Sequence, residues 1–289
     1  MRPRAAQPDR LTRIRPLLVA LVVVAVGLLI LERHPARAQQ PLAAGPTAMS
    51  DTDIEQFLLK ARVVKTKSAS KGITGSLRAT LTDGTLTHDA HIQMVHEEKS
   101  TFQSNAGVEL NFRDTWEYNV AGYRLDRLIG LNMVPVSVPR RWERNEASFT
   151  WWVDDVLMDE GDRLKKKLGA PDVELWNEQM QLVRVFDQLI YNTDRNVGNL
   201  LITKNWRIWA IDHTRAFRRY TTLKSAANLT RCDRQVLERL KTLDRPTLER
   251  TMTPYVGEFE LKGLLARRDA IVAFFDAHPS AIFDRRAVP

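Results

Sequence analysis

The segment from Tyr191 to Asp212 constrains the fold of this chain more than any other. A polar loop, residues 191–199, is followed by two short apolar runs, Leu200–Thr203 and Trp206–Ile211, which only Lys204-Asn205 separates. Runs of this length joined by a polar dipeptide predict a tight β-hairpin. The sequence therefore predicts that three polar side chains meet at the base of one hairpin: Asp194, Asn199 and Asp212.

The chain before this hairpin is predicted to be rich in strands. Asp83-Gly84 is typical of a two-residue type I′ turn and predicts that the flanking runs pair as a hairpin. Helical spacing of apolar residues predicts one helix, 114–129, which Gly130 ends. The predicted strands are 61–67, 77–82, 85–95, 108–112, 133–138 and 148–153.

The chain after residue 153 is predicted to be mostly helical. Pro171-Asp172 opens a long helix that leads into the Asp194 loop, and residues 256–277 predict another. A strand-rich half followed by a helical half indicates an α+β, two-lobed fold. We place the N-lobe at 51–153, beginning with a short helix at 51–59, and the C-lobe at 154–289.

The first 38 residues are typical of an export signal. Five arginines precede an apolar stretch, Leu17–Leu31, and Ala36-Arg37-Ala38 offers the small residues of a cleavage site. Fifteen apolar residues are fewer than the ~20 that cross a bilayer as a helix. The pattern favours a removed signal over an uncleaved anchor, although residues 16–31 could tether the chain to a membrane. A linker, 39–50, follows, and we expect the domain outside the cytoplasm, in a bacterial periplasm.

Charge and cysteine content exclude other classes of protein. The net charge is +8, but the first 38 residues hold seven arginines against two acids, so the remainder is only about +3. That balance gives no argument for a nucleic-acid partner. The single cysteine, Cys232, excludes an internal disulfide framework and a cysteine-based zinc site. His88, His91 and His96 do not form a metal site as strand residues, because they face opposite sides or lie too far apart.

Two passages resemble the atypical protein-kinase-like superfamily, whose branches include the phosphoinositide kinases, the secretory-pathway casein kinases of the Golgi and the HipA-type bacterial kinases. One passage runs from Val185 through Asp194-Arg195-Asn196-Val197-Gly198-Asn199 to Ile211-Asp212-His213. The other is Ala121–Leu131 with Val134-Pro135. The resemblance spans about residues 71–217 and implies a two-lobed kinase-like fold.

The resemblance also implies roles for individual residues. Asp194 would orient or deprotonate an acceptor, and Asn199 and Asp212 would hold Mg²⁺ (or Mn²⁺) that bridges the phosphates of ATP. If the chain is a phosphotransferase, Arg195 is a second catalytic candidate beside Asp194, and Arg195 and Arg215 could contact phosphate or an acidic acceptor. The remaining predicted nucleotide-binding residues come from the small-residue loop, the strands and the lobe junction: Gly72, Thr74, Gly75, Ser76, Arg78, Gln93, Asn119 and Val153.

The sequence departs from the family at two positions. Kinases pair a strand Lys with a helix Glu, and alignment places Gln93 and Asn119 there, both neutral amides. Arg78 and Lys71 are the candidates for a replacement cation. If Asp83-Gly84 is a two-residue turn, Arg78 lies opposite Asp89 and shares the face of Gln93.

Two functions therefore stay open. The first is an ATP-dependent phosphotransferase with an unknown protein or small-molecule acceptor. The second is a catalytically impaired pseudokinase that binds nucleotide or scaffolds another protein. Gln93 and Asn119 favour the second, and the complete set of Asp194, Asn199 and Asp212 favours the first. Read alone, Asp194 and Asn199 could also be ordinary turn residues.

Overall fold

The computed structural model describes residues 49–68, 76–104 and 107–288. Antiparallel strands dominate these residues as far as Asp159, and helices dominate afterwards, so the predicted α+β class is confirmed. The predicted export signal, the linker up to residue 48 and the loop 69–75 lie outside the described residues and remain predictions.

Five antiparallel strands form the main sheet. They are β1 (Arg62–Ser68), β2 (Leu77–Thr82), β3 (Thr87–Gln93), β6 (Ser137–Trp142) and β7 (Asn145–Trp151). Their spatial order is β1-β2-β3-β7-β6. Buried residues alternate along β2 and β3, where Ala79, Leu81, Ala90 and Ile92 are fully buried. This alternation buries one face of the sheet in the core.

The turn between β2 and β3 differs from the prediction. It contains four residues, 83–86, because the Asp83 carboxylate accepts the backbone N–H groups of Thr85 and Leu86, both at 2.8 Å. This Asx-type bonding competes with the two-residue turn. The register therefore shifts by two residues, and Arg78 lies opposite His91. The expected pairing of Arg78 with Asp89 across the ladder was wrong, but a shift of two preserves the face that Arg78 shares with Gln93.

A second hairpin lies between β3 and the first large helix. It consists of β4 (His96–Ser104) and β5 (Gly107–Thr115) and precedes α2 (Glu117–Ile129). Residues 114 and 115, predicted to open the helix, instead end β5. Gly130 ends α2 as predicted, in a left-handed conformation (φ 69°).

Two helices pack on the main sheet, at β6 and β7: α2 and α1 (Asp51–Lys60). Ser50 and Asp53 form a capping box that fixes the start of α1, and Phe57 and Leu58 bury its inner face. The Arg140 guanidinium donates to the Leu58 carbonyl at 2.7 Å, which joins the end of α1 to β6.

The described residues of the second half contain a three-stranded sheet, a two-stranded sheet and a set of helices. The long helix α4 begins after Asp172, whose side chain caps it, and ends at Leu189, directly before the Asp194 loop. The predicted hairpin is present as β9 (Leu200–Thr203) and β10 (Ile208–Ala210), which β8 (Val156–Asp159) extends to three strands. The remaining elements are α3 (Glu160–Lys165), α4 (Val173–Leu189), β11 (Cys232–Asp233), α5 (Arg234–Thr242), α6 (Arg245–Met252), α7 (Glu258–Ala277) and β12 (Ile282–Phe283).

Cys232 is buried and carries a free thiol, and burial raises its pKa to about 12. Among the residues that the structure describes, no helix is both long and apolar enough to span a membrane.

Candidate active site

The loop that carries Asp194 is fixed to the end of α4. Asn192 is buried and donates from its amide nitrogen to the Asp187 carboxylate (3.1 Å), while its amide oxygen accepts the backbone N–H of Asp194 (3.0 Å). Asn199 donates from its side-chain nitrogen to the carbonyl oxygen of Asp194 (3.1 Å). That bond orients the side-chain amide, and its oxygen, which carries the lone pairs, is the atom available as a metal ligand.

The hairpin returns the chain so that Asp212 lies beside this loop. The backbone N–H of Ile211 donates to the carbonyl oxygen of Asn199 (3.0 Å), which places the two predicted metal ligands on adjacent segments. Asp212 adopts a left-handed backbone (φ 55°), a rare conformation for a residue with a side chain. Thr214 donates its hydroxyl to Asp212 Oδ1 (3.1 Å). Strain of this kind is typical of functional sites.

Arg195 joins the two segments instead of facing an acceptor. Its Nε and Nη2 donate to the Asp187 carboxylate at 3.0–3.2 Å, and Nη1 donates to the carbonyl oxygens of Asn199 (3.0 Å) and Ile211 (2.9 Å). Nη2 also lies 3.0 Å from His213 Nε2. The side chain is 12% exposed. All three guanidinium nitrogens are thus used within the chain, and the contact with phosphate or acceptor that we predicted from the sequence would require breaking them.

Asn119 lies near Gln93, as the alignment implies, and it too supports the Asp212 segment. Its amide oxygen accepts the backbone N–H of His213 (2.9 Å), and its amide nitrogen donates to the Ser148 hydroxyl (3.3 Å). Ser148 is the ladder partner of Gln93. A Cβ at Gly122, one turn along α2, would lie 3.3 Å from His213 Cγ, so helix and imidazole are in close contact. The helix that carries a Glu in kinases therefore holds the Asp212 segment through neutral groups here.

Three carboxylates and two arginines, Arg215 and Arg195, share the surroundings of the predicted site, and Arg195 is already paired with Asp187. Burial raises the pKa of Asp194, with further contributions from Asp212 and Asp114, and Arg215 opposes this increase. Burial also raises the pKa of Asp212, and Asp114 adds to that effect. The Asp114 carboxylate is 2% exposed and accepts from Arg215 Nε at 2.7 Å. Negative charge is therefore concentrated here in excess of the nearby cations, which favours a divalent ion.

Asp114 is the residue that sequence reasoning missed. The helical spacing of residues 114–129 placed Asp114 at the start of a helix, but it is a buried residue at the end of β5. A charged residue just before an apolar helical pattern is an ordinary helix-start signal, so nothing local distinguishes its actual position.

The other predicted nucleotide-binding residues fall into two groups. Ser76 and Val153 are buried beside β2 and β7, and Arg78 is a third exposed. Arg78 Nε donates to the Asp89 carboxylate (2.6 Å), and its guanidinium lies 4.2 Å from the centre of the Trp152 ring. The rest lie outside the described residues: Gly72, Thr74, Gly75 and the candidate cation Lys71.

The donor set fits a magnesium ion that is shared with a phosphate ligand. Carboxylate and amide oxygens, as in Asp212 and Asn199, are the ligands that Mg²⁺ prefers, and Mg²⁺ usually takes only one or two carboxylates plus substrate phosphates. Within the described ranges, no group of three His, Cys, Asp or Glu side chains is arranged to hold a metal without help. A protein site completed by phosphate oxygens agrees with both observations.

Two cavities in the described part of the chain lie away from these residues. One, of about 280 Å³, is lined by residues such as Glu178 and Arg286 beneath the C-terminal tail. The other, of about 350 Å³, lies among polar residues such as Asp155 and Asn205. Neither cavity is lined by Asp194, Asn199 or Asp212.

The comparisons with known proteins support the fold. No protein-family model and no curated protein matches this sequence. Among solved structures, that of hydra Fam20 with sugar is 14% identical, covers 84% of this chain and 95% of its own, and superposes with a TM-score of 0.59. The chain has an atypical kinase-like fold.

Two further structures agree with that result. The crystal structure of the Golgi casein kinase is 12% identical and covers 83% of this chain and 80% of its own, with a TM-score of 0.56. The structure of the Golgi casein kinase with Mn/ADP bound is also 12% identical and covers 77% and 74% of the two chains, with a TM-score of 0.54. At these identities the likeness concerns the fold alone.

Proposed function

We propose that this protein is an ATP-dependent phosphotransferase of the atypical kinase type. The observation that carries the proposal is the hydrogen bond from Ile211 to Asn199, which brings Asn199 and Asp212 together beside Asp194. A scaffold protein has no need of this arrangement. The kinase-like fold and the Mn/ADP bound to one structural neighbour support it.

Each residue has a specific task in this proposal. A bound metal–nucleotide supplies the transferable phosphoryl group, and Asn199 and Asp212 hold its metal. Asp194 accepts a hydrogen bond from the acceptor hydroxyl and orients it. Arg195 holds the segments that carry Asn199 and Asp212 together, because it donates to the carbonyl oxygens of Asn199 and Ile211. Positioning of this kind supplies most of the catalysis in phosphoryl transfer.

The second candidate is a pseudokinase that binds nucleotide without turnover. The observation that favours it is the pair of buried neutral amides, Gln93 and Asn119, where kinases have an ion pair. An amide can hydrogen-bond a phosphate but does not neutralise it. The loss of one charge-assisted contact costs about 1.5–3 kcal/mol.

The experiment that separates the candidates is incubation of the purified full chain with labelled ATP and Mg²⁺ or Mn²⁺, beside an Asp212→Ala variant. We expect metal-dependent binding and transfer of label to the protein or to water, both lost in the variant. Binding without transfer would favour the pseudokinase. No binding with either metal would refute both.

We further propose that the chain is exported, with residues 51–153 as N-lobe and 154–289 as C-lobe.

A further inference from the structure

The position that holds a lysine in kinases has no cation here. Gln93 is 2% exposed, and its ladder partner is Ser148. Arg78, on the same face of the sheet, is bound to the Asp89 carboxylate at 2.5–2.6 Å and stacks on Trp152. A phosphate would have to compete with a carboxylate for Arg78, which makes it a poor replacement.

A different ion pair lies at the predicted site. Arg215 Nε donates to Asp114 Oδ2 at 2.7 Å, and the Arg215 side chain is one-third exposed. Within the described ranges, its two terminal nitrogens have no hydrogen-bond acceptor, so they can bind a ligand. The other oxygen, Asp114 Oδ1, is buried and has no hydrogen-bond partner in the same part of the chain. The pair is therefore only partly satisfied by the protein.

Both ends of the pair are fixed to the backbone of the site. The carbonyl oxygen of Arg215 accepts from the backbone N–H (3.3 Å) and the hydroxyl (2.9 Å) of Thr193, the residue before Asp194. The backbone N–H of Thr115, next to Asp114, donates to the carbonyl oxygen of Thr214 (3.0 Å). Arg215 is thus held between the Asp194 loop and the segment that follows Asp212.

The aromatic residues of the second hairpin limit where the guanidinium can move. Its central carbon lies 5.5 Å from the centre of the Phe112 ring and 5.9 Å from that of Phe102. The guanidinium also interacts electrostatically with Asp194 and Asp212. A cation held in this way is pre-organised for an anion at the site, which reduces the ordering cost of binding.

We propose that Arg215, held by Asp114, replaces the missing strand lysine and binds the terminal phosphate of a nucleoside triphosphate. The Asp114–Arg215 pair would then replace the Lys–Glu pair of kinases at a different position in the fold. Its acid lies at the end of β5, and its cation lies three residues after Asp212. The inference rests on the proposed function, because it requires a nucleotide at this site.

The test measures the affinities of the full chain for a non-hydrolysable ATP analogue and for ADP, with Mg²⁺, by titration calorimetry. The variants are Arg215→Gln, Arg215→Lys, Asp114→Asn and Arg78→Gln. Arg234→Gln is the matched control, because Arg234 is exposed and paired with Asp284 far along the chain. Thermal unfolding of each variant checks that it is folded at the titration temperature.

We expect Arg215→Gln to weaken binding of the ATP analogue about 10- to 100-fold, the value of a charge-assisted hydrogen bond, and to change ADP binding less than about threefold. Arg215→Lys should keep part of the preference because it keeps the charge. Asp114→Asn should reduce the preference without abolishing it, because Asp114 acts through Arg215. A general loss of stability would not change the ratio of the two affinities.

Three results would overturn the proposal. In the first, the wild type binds both nucleotides and Arg215→Gln leaves the ratio of ATP-analogue to ADP affinity unchanged. Arg215 would then bind an acidic acceptor or stabilise the fold. In the second, Arg78→Gln removes the preference and Arg215→Gln does not. In the third, the wild type binds neither nucleotide, which refutes the proposed function as well. If Arg215→Gln is unfolded, Arg215→Lys and Asp114→Asn decide by the same ratio.

Discussion

Replacing Arg195 by Gln should destabilise the protein more than any loss of an exposed ion pair. The guanidinium bonds to Asp187 on α4, to two carbonyl oxygens on separate segments and to His213. Glutamine is too short to reach all of them and carries no charge. Among the residues that the structure describes, the substitution leaves the Asp187 carboxylate, only 13% exposed, with its bond from Asn192 alone.

The size of the effect follows from that burial. Breaking a buried ion pair by removing one partner costs about 3–5 kcal/mol, because the other charge is left unpaired. The Arg195 and Asp187 side chains are 12% and 13% exposed, so we expect a loss of stability at the lower end of this range, about 3 kcal/mol. A domain typically has 5–15 kcal/mol of stability, so the variant should still fold. Removing both partners together, in an Asp187→Asn/Arg195→Gln double variant, should cost less than the sum of the single losses by about 1–2 kcal/mol.

Urea unfolding, followed by tryptophan fluorescence, measures these free energies, with Arg234→Gln as the control. The Arg234–Asp284 pair is largely exposed and should contribute less than about 1 kcal/mol. The account also predicts weaker metal-dependent nucleotide binding by Arg195→Gln at temperatures where it is folded. If Arg195→Gln lowers the free energy of unfolding no more than Arg234→Gln does, then Arg195 does not join the Asp194 loop, α4 and the Asp212 segment.

Three further predictions concern the same region. Asn119→Ala should lower the free energy of unfolding by about 1–3 kcal/mol in urea, because the buried N–H of His213 loses its acceptor; an unchanged free energy of unfolding would contradict this role. Gly122→Ala should lower the melting temperature despite the better helix propensity of Ala, because the new Cβ would lie 3.3 Å from the buried His213 ring, which Arg195 contacts on its other side; a rise would contradict the close packing. Burial lowers the pKa of His91 from 6.5 to about 4, so the unfolded chain binds more protons between these values and stability falls as the pH is lowered; His91→Gln should remove up to about 2 kcal/mol of the loss between pH 7 and 4.5.

Patterns along the sequence predicted the elements that depend on local signals. The helix after Asp172, the hairpin that ends before Asp212 and the stop at Gly130 all follow from capping, turn and apolar spacing. The turn at Asp83 was predicted with the wrong length, because the bonds of its side chain to two backbone N–H groups outweighed the dipeptide preference. The turn type that a dipeptide prefers does not decide the structure where a neighbouring side chain forms additional hydrogen bonds with the backbone.

Interactions between distant segments were not predictable in the same way. Asp114 and Arg215 are 101 residues apart, and their pairing depends on how β5 lies against the segment after Asp212. The roles of Arg195 and Asn119 as structural bridges depend likewise on backbone carbonyl and N–H groups, which leave no trace in the sequence. The types of residue at the site were predictable, but their partners required the fold.

A crystal structure of the protein with Mn²⁺ and ADP, in which anomalous scattering locates the metal, tests the proposed metal site directly. We expect a manganese peak within coordination distance of an Asp212 carboxylate oxygen and the Asn199 amide oxygen, with ADP phosphate oxygens completing the shell. Manganese bound elsewhere, or ADP bound with no metal at these two residues, would contradict this expectation.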